Sequence, residues 1–364
     1  MKIGILAPDL NSHHGWGSYS LSLLRALHRA GIPMQIVCAH DSPPLPDLPT
    51  EPLLPSVSPL GRAFFLKQML ALPRARAALR ACTHLHALVE PYALLGAWLA
   101  GERPLLMTAH GTYAQMPARR FPTGALYRRA FLRARIIAVS QHTAALVREI
   151  VPGADATVIP NAVDAARYLA LERQPAPAPT ILFVGGIKAR KGVLELVDAF
   201  ALIRERLPDA RLLLVGALTP EPAYAEAVRQ RIAAHRLGDA VLLAGRLDDA
   251  DLLPLYSQAW AFALPAQTVN HAFEGFGLAL LEASAAGLPV ISTRGSGTED
   301  AVRDGETGLL VAQDDRAALA DALIRVLTDR TLAARLGMNG RAYAAGQTWD
   351  AVAARVIALY EQQR

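Results

Sequence analysis

Two acids bracket the segment EGFGLALLE, Glu274 to Glu282, with Gly275 and Gly277 near its start and apolar side chains filling the rest. If Gly277 begins a helix, the backbone N–H groups of Phe276, Gly277 and Leu278 point out of its N-terminal end, where the helix dipole favours an anion. Small residues let such an anion approach the backbone closely. Eight residues at ~1.5 Å rise place the carboxylates about 12 Å apart and nearly on one helical face. A hydrolytic acid/base pair of carboxylates stands about 5–9.5 Å apart, so this spacing does not suit hydrolysis. It suits two carboxylates that grip hydroxyls at opposite ends of one elongated ligand, with the ligand's charged middle over the helix tip. A nucleotide-sugar, with sugar, diphosphate and ribose in line, has that shape. The plainer alternative is a loop Glu followed by a capped helix with a solvent-facing Glu, and taken alone the segment fits that alternative better.

The elements that must position these acids follow a repeated grammar. KIGILA, MQIVCA, THLHAL, PLLMTAHG, RIIAVS and ATVIPN are short apolar runs separated by longer segments of helical period, with a Pro-rich loop at 43–59. After RQPAPAP, a Pro/Ala stretch that cannot continue a helix, the pattern resumes with TILFVGG, RLLLVGA, AVLLAGR, WAFALP, LPVIST and TGLLV. Fully apolar strands between helices mean parallel sheets covered on both faces. The expected fold class is α/β, with two Rossmann-like, doubly wound domains facing a central cleft. The expected boundaries are 1–170, with 350–364 packing back on it, and 171–349. Ligands in such domains bind at the carboxyl ends of the strands. Just after the apolar runs come Gly15 and Gly17, His110-Gly111, Gly185-Gly186 with KARKG, Arg246, EGFG and RGSGTE.

The chain has 364 residues, about two domains' worth. At 52% hydrophobic residues, extensive disorder is excluded. No apolar run reaches the ~18 residues of a membrane helix, MKIGILAPDL reads as a first strand and not as a leader, and Cys38 and Cys82 are too few for a disulfide framework or a thiolate metal site. A cytoplasmic location is therefore expected. Of the net charge of +5, residues 1–170 carry +8 (17 Lys+Arg against 9 Asp+Glu) and the remainder −3 (20 against 23). Such a basic half suits an anionic substrate or surface, or simply solvated helix faces. Phe64, Phe65, Met69 and Leu70 lie among Arg62, Lys67, Arg74, Arg76 and Arg80, a pattern that fits either domain packing or peripheral contact with an anionic inner membrane face. The Arg-rich segments have no aromatic ladder, which argues against nucleic acid as a partner.

Several segments match in order a known pattern: GWGSYSLSLLRAL, TAHG, IAVS, VIPNAVD, FVGGIKARKG, EGFGLALLEASAAGLPVI, VRDGETGLLV and TWDAVAARVIALYEQ. Together they resemble the retaining GT-B glycosyltransferases of family 4 over nearly the whole chain. The resemblance implies sugar transfer from a UDP- or GDP-sugar to a glycan or lipid-linked acceptor, without metal or other cofactor, in the making of cell-surface polysaccharide or glycolipid. It implies that Glu274 holds donor-sugar hydroxyls on the reacting face, with His110 close to the transferred sugar. Lys191 neutralises the leaving diphosphate, Glu282 accepts from the ribose hydroxyls, and Phe276, Gly277 and Leu278 give backbone contacts. Gly15 and Gly17 let the first-strand loop close over phosphates or acceptor, Gly185 is among the donor-binding residues, and Arg246 lies where the base is contacted. A last helix from Asp350 crosses back to the first domain, and closure about 171–179 assembles the site.

One departure matters. The family's clamping Arg before KG is Gly186 here, with Lys188 and Arg190 as neighbours that could stand in. Losing such a clamp costs about 10²–10³ in rate where nothing substitutes. Two other functions fit the same motifs: epimerisation of the nucleotide-sugar itself, and non-catalytic binding of it. The remaining side chains read more plainly. His84 and His86 alternate as strand neighbours, with no third ligand evident for a metal. His13 and His14 fit either an acceptor contact or a helix cap. His271, in the long loop before Glu274, is placed to shape the sugar pocket. GSG at 295–297 lacks the third Gly of a dinucleotide loop, and Glu299 beside it is read as a loop tether.

Overall fold

The computed structural model describes residues 1–11, 15–57, 63–119, 122–219 and 221–362. His13, His14 and Arg62 lie outside them. The chain forms two compact units, Met1–Asn161 with Trp349–Arg364, and Ala162–Thr348.

The first unit is built on seven parallel strands: β1 Ile3–Ala7, β2 Met34–Ala39, β3 Thr50–Leu54, β4 His84–Ala87, β5 Leu105–Ala109, β6 Arg135–Ala138 and β7 Asp155–Val158. Their order is β3-β2-β1-β4-β5-β6-β7. β1, β4 and β5 are buried along their whole length, as sheets covered by helices on both faces require. β3 lies inside the stretch expected to be a Pro-rich loop. It is an edge strand, and Pro52 is tolerated there because one side of an edge needs no ladder donor.

The second unit holds β8 Thr180–Val184, β9 Arg211–Val215, β10 Val241–Gly245, β11 Ala261–Leu264, β12 Val290–Thr293 and β13 Gly308–Val311. They run parallel in the order β10-β9-β8-β11-β12-β13. In each sheet the connections reverse once, between β1 and β4 and between β8 and β11. Those switch points open the crevices where doubly wound sheets take their ligands.

The division falls at Asn161/Ala162 rather than at 170/171. The helix Ala165–Leu169 packs into the second unit: Tyr168 meets Tyr256 edge-on at 5.2 Å, and Arg341 donates to the Leu169 carbonyl. The Pro/Ala stretch read as a linker is fastened to the same unit. Gln174 and Ala176 N–H donate to the Ser257 and Gln258 carbonyls at 3.1 and 2.9 Å, and Arg173 donates to the Tyr256 carbonyl at 2.6 Å. Proline removes donors from this stretch, but the Gln174 and Ala176 N–H groups are spent on the unit's own body.

The last helix, Trp349–Glu361, belongs to the first unit. Its fully buried Tyr360 hydroxyl bonds His86 Nδ1 at 2.7 Å, and His86 Nε2 bonds Thr108 Oγ1 at 3.0 Å. Arg29 pairs with Asp350 at 2.7 Å. The two histidines of THLHAL are thus buried strand residues. Burial takes His86 down to about 3, with His110 adding to the effect, so His86 stays neutral.

Candidate active site

In the second unit the switch point is where the expected acids and bases meet. β8 ends at Val184, Gly185 and Gly186 follow, and a short 3₁₀ turn at Ala189–Lys191 sets three cations within four residues: Lys188, Arg190 and Lys191. Gly192 then takes a left-handed φ of 68°, and a Cβ there would lie 1.8 Å from the Pro265 carbonyl oxygen. Only glycine lets the β8 loop sit this tightly on the loop that leaves β11. The Gln267 N–H donates to the Arg190 carbonyl at 3.0 Å and locks the two loops together.

The β11 loop carries Glu274. Lys191 Nζ lies 2.6 Å from Glu274 Oε2, and Arg190 pairs with the same oxygen. Glu274 is 8% exposed. Burial would raise its carboxyl, but Arg190 and Lys191 overcome that and hold it at about 2. Burial lowers the Lys191 ammonium in turn, opposed by Glu274. Lys188 is lowered by burial and then by Arg190; its Cε lies 3.5 Å from where a Cβ on Gly186 would be, so it occupies the space beside that glycine.

Gly277 caps the helix Leu278–Ala285 in the left-handed region, and Phe276 is buried. Glu274 therefore lies in the loop ahead of the helix and Glu282 on it, so the acids are not on one helical face as the spacing suggested. The helix begins four residues after Glu274 without a side-chain cap, and its Leu280 N–H turns back to the Gly277 carbonyl at 2.9 Å. Its loop is held by RGSGTE: the Gly297 N–H donates to the Glu274 carbonyl at 2.9 Å, and a Cβ on Gly297 would come 1.9 Å from the Gly275 oxygen. GSG thus serves as a backing for the acid loop. Glu299 is the expected tether, accepting from the Gly295 N–H at 2.6 Å. Asn270 and His271, both at positive φ, form the tip of a tight turn between Val269 and Ala272.

Glu282 is partly buried and receives the Tyr256 hydroxyl at 3.1 Å. Arg246 follows β10, an edge strand of the sheet, and is exposed.

In the first unit the residues after β4 and β5 converge. His110 Nε2 is 2.8 Å from the Leu88 carbonyl, so Nε2 carries the proton and Nδ1 a lone pair. The ring stands edge-on to Tyr19 at 4.6 Å. Burial lowers His110 to about 4, opposed by its bond to Leu88, so it is neutral at physiological pH. Gly15 is exposed at the start of the helix Gly15–Arg29. Gly17 is buried, and a Cβ there would meet the Asn11 oxygen at 1.8 Å, so its smallness serves helix-to-loop packing.

Sequence reasoning missed Glu90. It follows β4 and is fully buried, and its Oε1 accepts the N–H groups of His110 and Gly111 at 2.6 and 3.1 Å. Burial pushes it up to about 7 against those bonds. A carboxyl raised in the folded state holds its proton better there than in the unfolded chain, so stability is greatest below the unfolded value and falls as pH rises toward 7. His86 and His110, lowered by burial, run the opposite way, and comparison with Glu90→Gln cancels them. We expect the unfolding free energy of the wild type, relative to Glu90→Gln, to fall between about pH 5 and about pH 7.5 by up to roughly 3 kcal/mol, read from denaturant melts at each pH. Parallel curves for the two proteins would show that the carboxyl does not titrate there.

Among the described residues, no group of three or more His, Cys, Asp or Glu side chains is placed to hold a metal ion, and no helix is long and apolar enough to cross a membrane.

Two parallel α/β units of this topology, with charged loops at the switch points, define the GT-B class of fold. Anabaena HepE, solved in complex with UDP and glucose, superposes with a TM-score of 0.80 over all of both chains at 20% identity. Residues 14–167 match Glycosyltransferase Family 4 and residues 171–343 match Glycosyl transferases group 1. A GDP-mannose-dependent alpha-(1-6)-phosphatidylinositol monomannoside mannosyltransferase of Mycobacterium tuberculosis is 30% identical over 73% of this chain and 72% of its own. A phosphatidyl-myo-inositol mannosyltransferase of the same organism is 35% identical over 57% of this chain, a stretch that spans only 54% of that relative. The chain belongs to glycosyltransferase family 4.

Proposed function

We propose that the protein is a retaining glycosyltransferase that moves a sugar from a UDP- or GDP-sugar to a hydroxyl of a glycan or lipid-linked acceptor, without a metal. The observation that carries this reading is the Glu274 carboxylate, buried and kept ionised by Lys191 and Arg190 beside the open end of a helix. A diphosphate over that helix end meets N–H groups and Lys191, where negative charge develops as the sugar leaves. Glu274 then grips donor-sugar hydroxyls on the reacting face, and neutral His110 offers Nδ1 to the transferred sugar. The acceptor hydroxyl attacks from the side of the leaving diphosphate, which takes its proton. Lys188, lying along Gly186, supplies the charge that the missing Arg would have given.

The relatives' names support both donor choices and a lipid-linked acceptor: one is GDP-mannose-dependent and HepE was solved with UDP. Peripheral contact with an anionic membrane fits the helix Phe64–Ala78. Its Phe64 is buried and Phe65 packs on Trp98, so those two serve the domain's packing. Leu66, Met69 and Leu70 are 59, 42 and 70% exposed among Lys67, Arg74 and Arg76, the arrangement of a surface-binding face.

A thermal-shift panel of UDP- and GDP-sugars tests the donor reading. One nucleotide-sugar should raise the melting temperature, by an amount that grows with its concentration. Failure of every member to do so would remove the reading.

A further inference from the structure

His110 is held from two sides by one short stretch of chain. β4 runs out at Ala87, and Leu88 and Glu90, two residues apart, both turn onto the His110–Gly111 step at the end of β5. The Leu88 carbonyl takes the imidazole Nε2–H at 2.8 Å, and Glu90 Oε1 takes the two successive backbone N–H groups at 2.6 and 3.1 Å. The stretch is itself firmly seated. The Leu88 N–H donates to the Leu6 carbonyl at 2.9 Å. In the 3₁₀ turn Glu90–Tyr92, the Tyr92 hydroxyl donates to the Pro55 carbonyl at 2.6 Å, and the Tyr127 hydroxyl donates to the Pro91 carbonyl at 3.2 Å. Leu88, Glu90 and Tyr92 are fully buried, whereas His110 keeps part of its surface open.

Successive amides aimed at one oxygen form a concave anion holder in the backbone. The conformation needed here is an uncommon one, with Gly111 at a φ of 136° in the region that favours glycine. Without an acceptor both N–H groups would be orphaned and the turn free to relax. For stability alone the acid is a poor choice. Its Oε2 is buried with no hydrogen-bond partner among the described residues, and such an orphan costs about 1–3 kcal/mol. What the arrangement does fix is the place of one partly open imidazole: Glu90 holds its backbone, and Leu88 holds the far nitrogen of its ring.

We propose that Glu90 is a positioning residue for sugar transfer, setting the place of His110 against the reacting sugar through its two backbone bonds, by reach and not by charge. The proposal rests on the reading of His110 as the residue beside the transferred sugar.

Two substitutions separate reach from charge. Glu90→Asp keeps the charge but ends one methylene short of the two amides, and Glu90→Gln keeps the reach and an acceptor oxygen without the charge. Release of UDP or GDP from UDP- and GDP-sugars, with water as acceptor, is measured per folded protein. Glu90→Asp should lose about 10- to 100-fold in kcat with KM for the donor little changed, the scale of a misplaced group at the chemistry. Glu90→Gln should lose no more than severalfold. In the His110→Ala background Glu90→Asp should cost less than about twofold more, since residues that act as a unit are not additive. Glu90→Gln impaired with Glu90→Asp spared would make the acid a source of field and overturn positioning by reach. Both variants at the wild-type kcat, with His110→Ala impaired, would reduce Glu90 to packing and leave the His110 reading standing. An Asp loss undiminished in the His110→Ala background would show that Glu90 acts elsewhere and overturn the proposal as well. His110→Ala at the wild-type rate removes the His110 reading, no release from any donor removes the transfer reading, and the proposal falls with either.

Discussion

Glu274→Ala should lower sugar transfer by about 10³-fold or more, the scale of removing a preorganised charged contact to the reacting centre. The loss should fall on kcat and not only on KM if, as proposed, the carboxylate faces the sugar as it changes charge. The same substitution leaves Lys191 and Arg190 without their common partner, and Lys191 is almost as buried as Glu274. Some stability should therefore be lost as well, and Glu274→Gln, which still accepts a hydrogen bond from Lys191, separates the two effects. A Gln variant that folds like the wild type yet transfers no sugar points to the charge itself. The pH sign follows from the depressed value of about 2: the ion pairs stabilise the fold above the ordinary carboxyl range and are lost as pH falls toward 2. Chelation of divalent metals should leave the wild-type rate unchanged. Undiminished transfer by Glu274→Ala would remove Glu274 from the reaction, and a rate abolished by chelation would overturn metal independence.

Lys191→Ala should cost about 10²–10³ in kcat through loss of charge at the departing diphosphate. Lys188→Ala should cost less, because Lys188 is more exposed and shares its field with Arg190. The informative combination uses Gly186. Its backbone lies outside the left-handed region, and the nearest atom to an added Cβ is the Lys188 Cε at 3.5 Å, an ordinary contact. Gly186→Arg in the Lys188→Ala background should therefore fit and recover part of the lost rate. No recovery, with Lys188→Ala alone at the wild-type rate, would show that Lys188 does not stand in for the absent guanidinium.

Much of this was legible from side-chain type and order. Apolar runs such as IGILA and LLMTA declare buried parallel strands because nothing polar interrupts them. That EGFG and KARKG each follow an apolar run was legible from order alone, whereas the ion pairs of Glu274 with Lys191 and Arg190 were not. What stayed hidden depends on long-range geometry. Nothing in the local sequence singles out Glu90, and only the fold sets its carboxyl under the His110–Gly111 amides. Tyr168 and Tyr256 are 88 positions apart in the numbering, and only the fold sets their rings edge-on at 5.2 Å and the Tyr256 hydroxyl on Glu282. RQPAPAP read as a spacer because proline breaks helices. Whether its remaining amides find partners is set by the helix it lies on, which local sequence does not state.

The bond from Tyr360 to His86 joins residues 274 positions apart. Until the final turns of the chain are made, His86 Nδ1 lacks the hydroxyl that Tyr360 supplies. At synthesis rates of about 5–20 residues per second, the ribosome needs roughly 10–40 s to produce the intervening lobe. The N-terminal lobe emerges first, yet the helix that completes it, Trp349–Glu361, follows only after that interval.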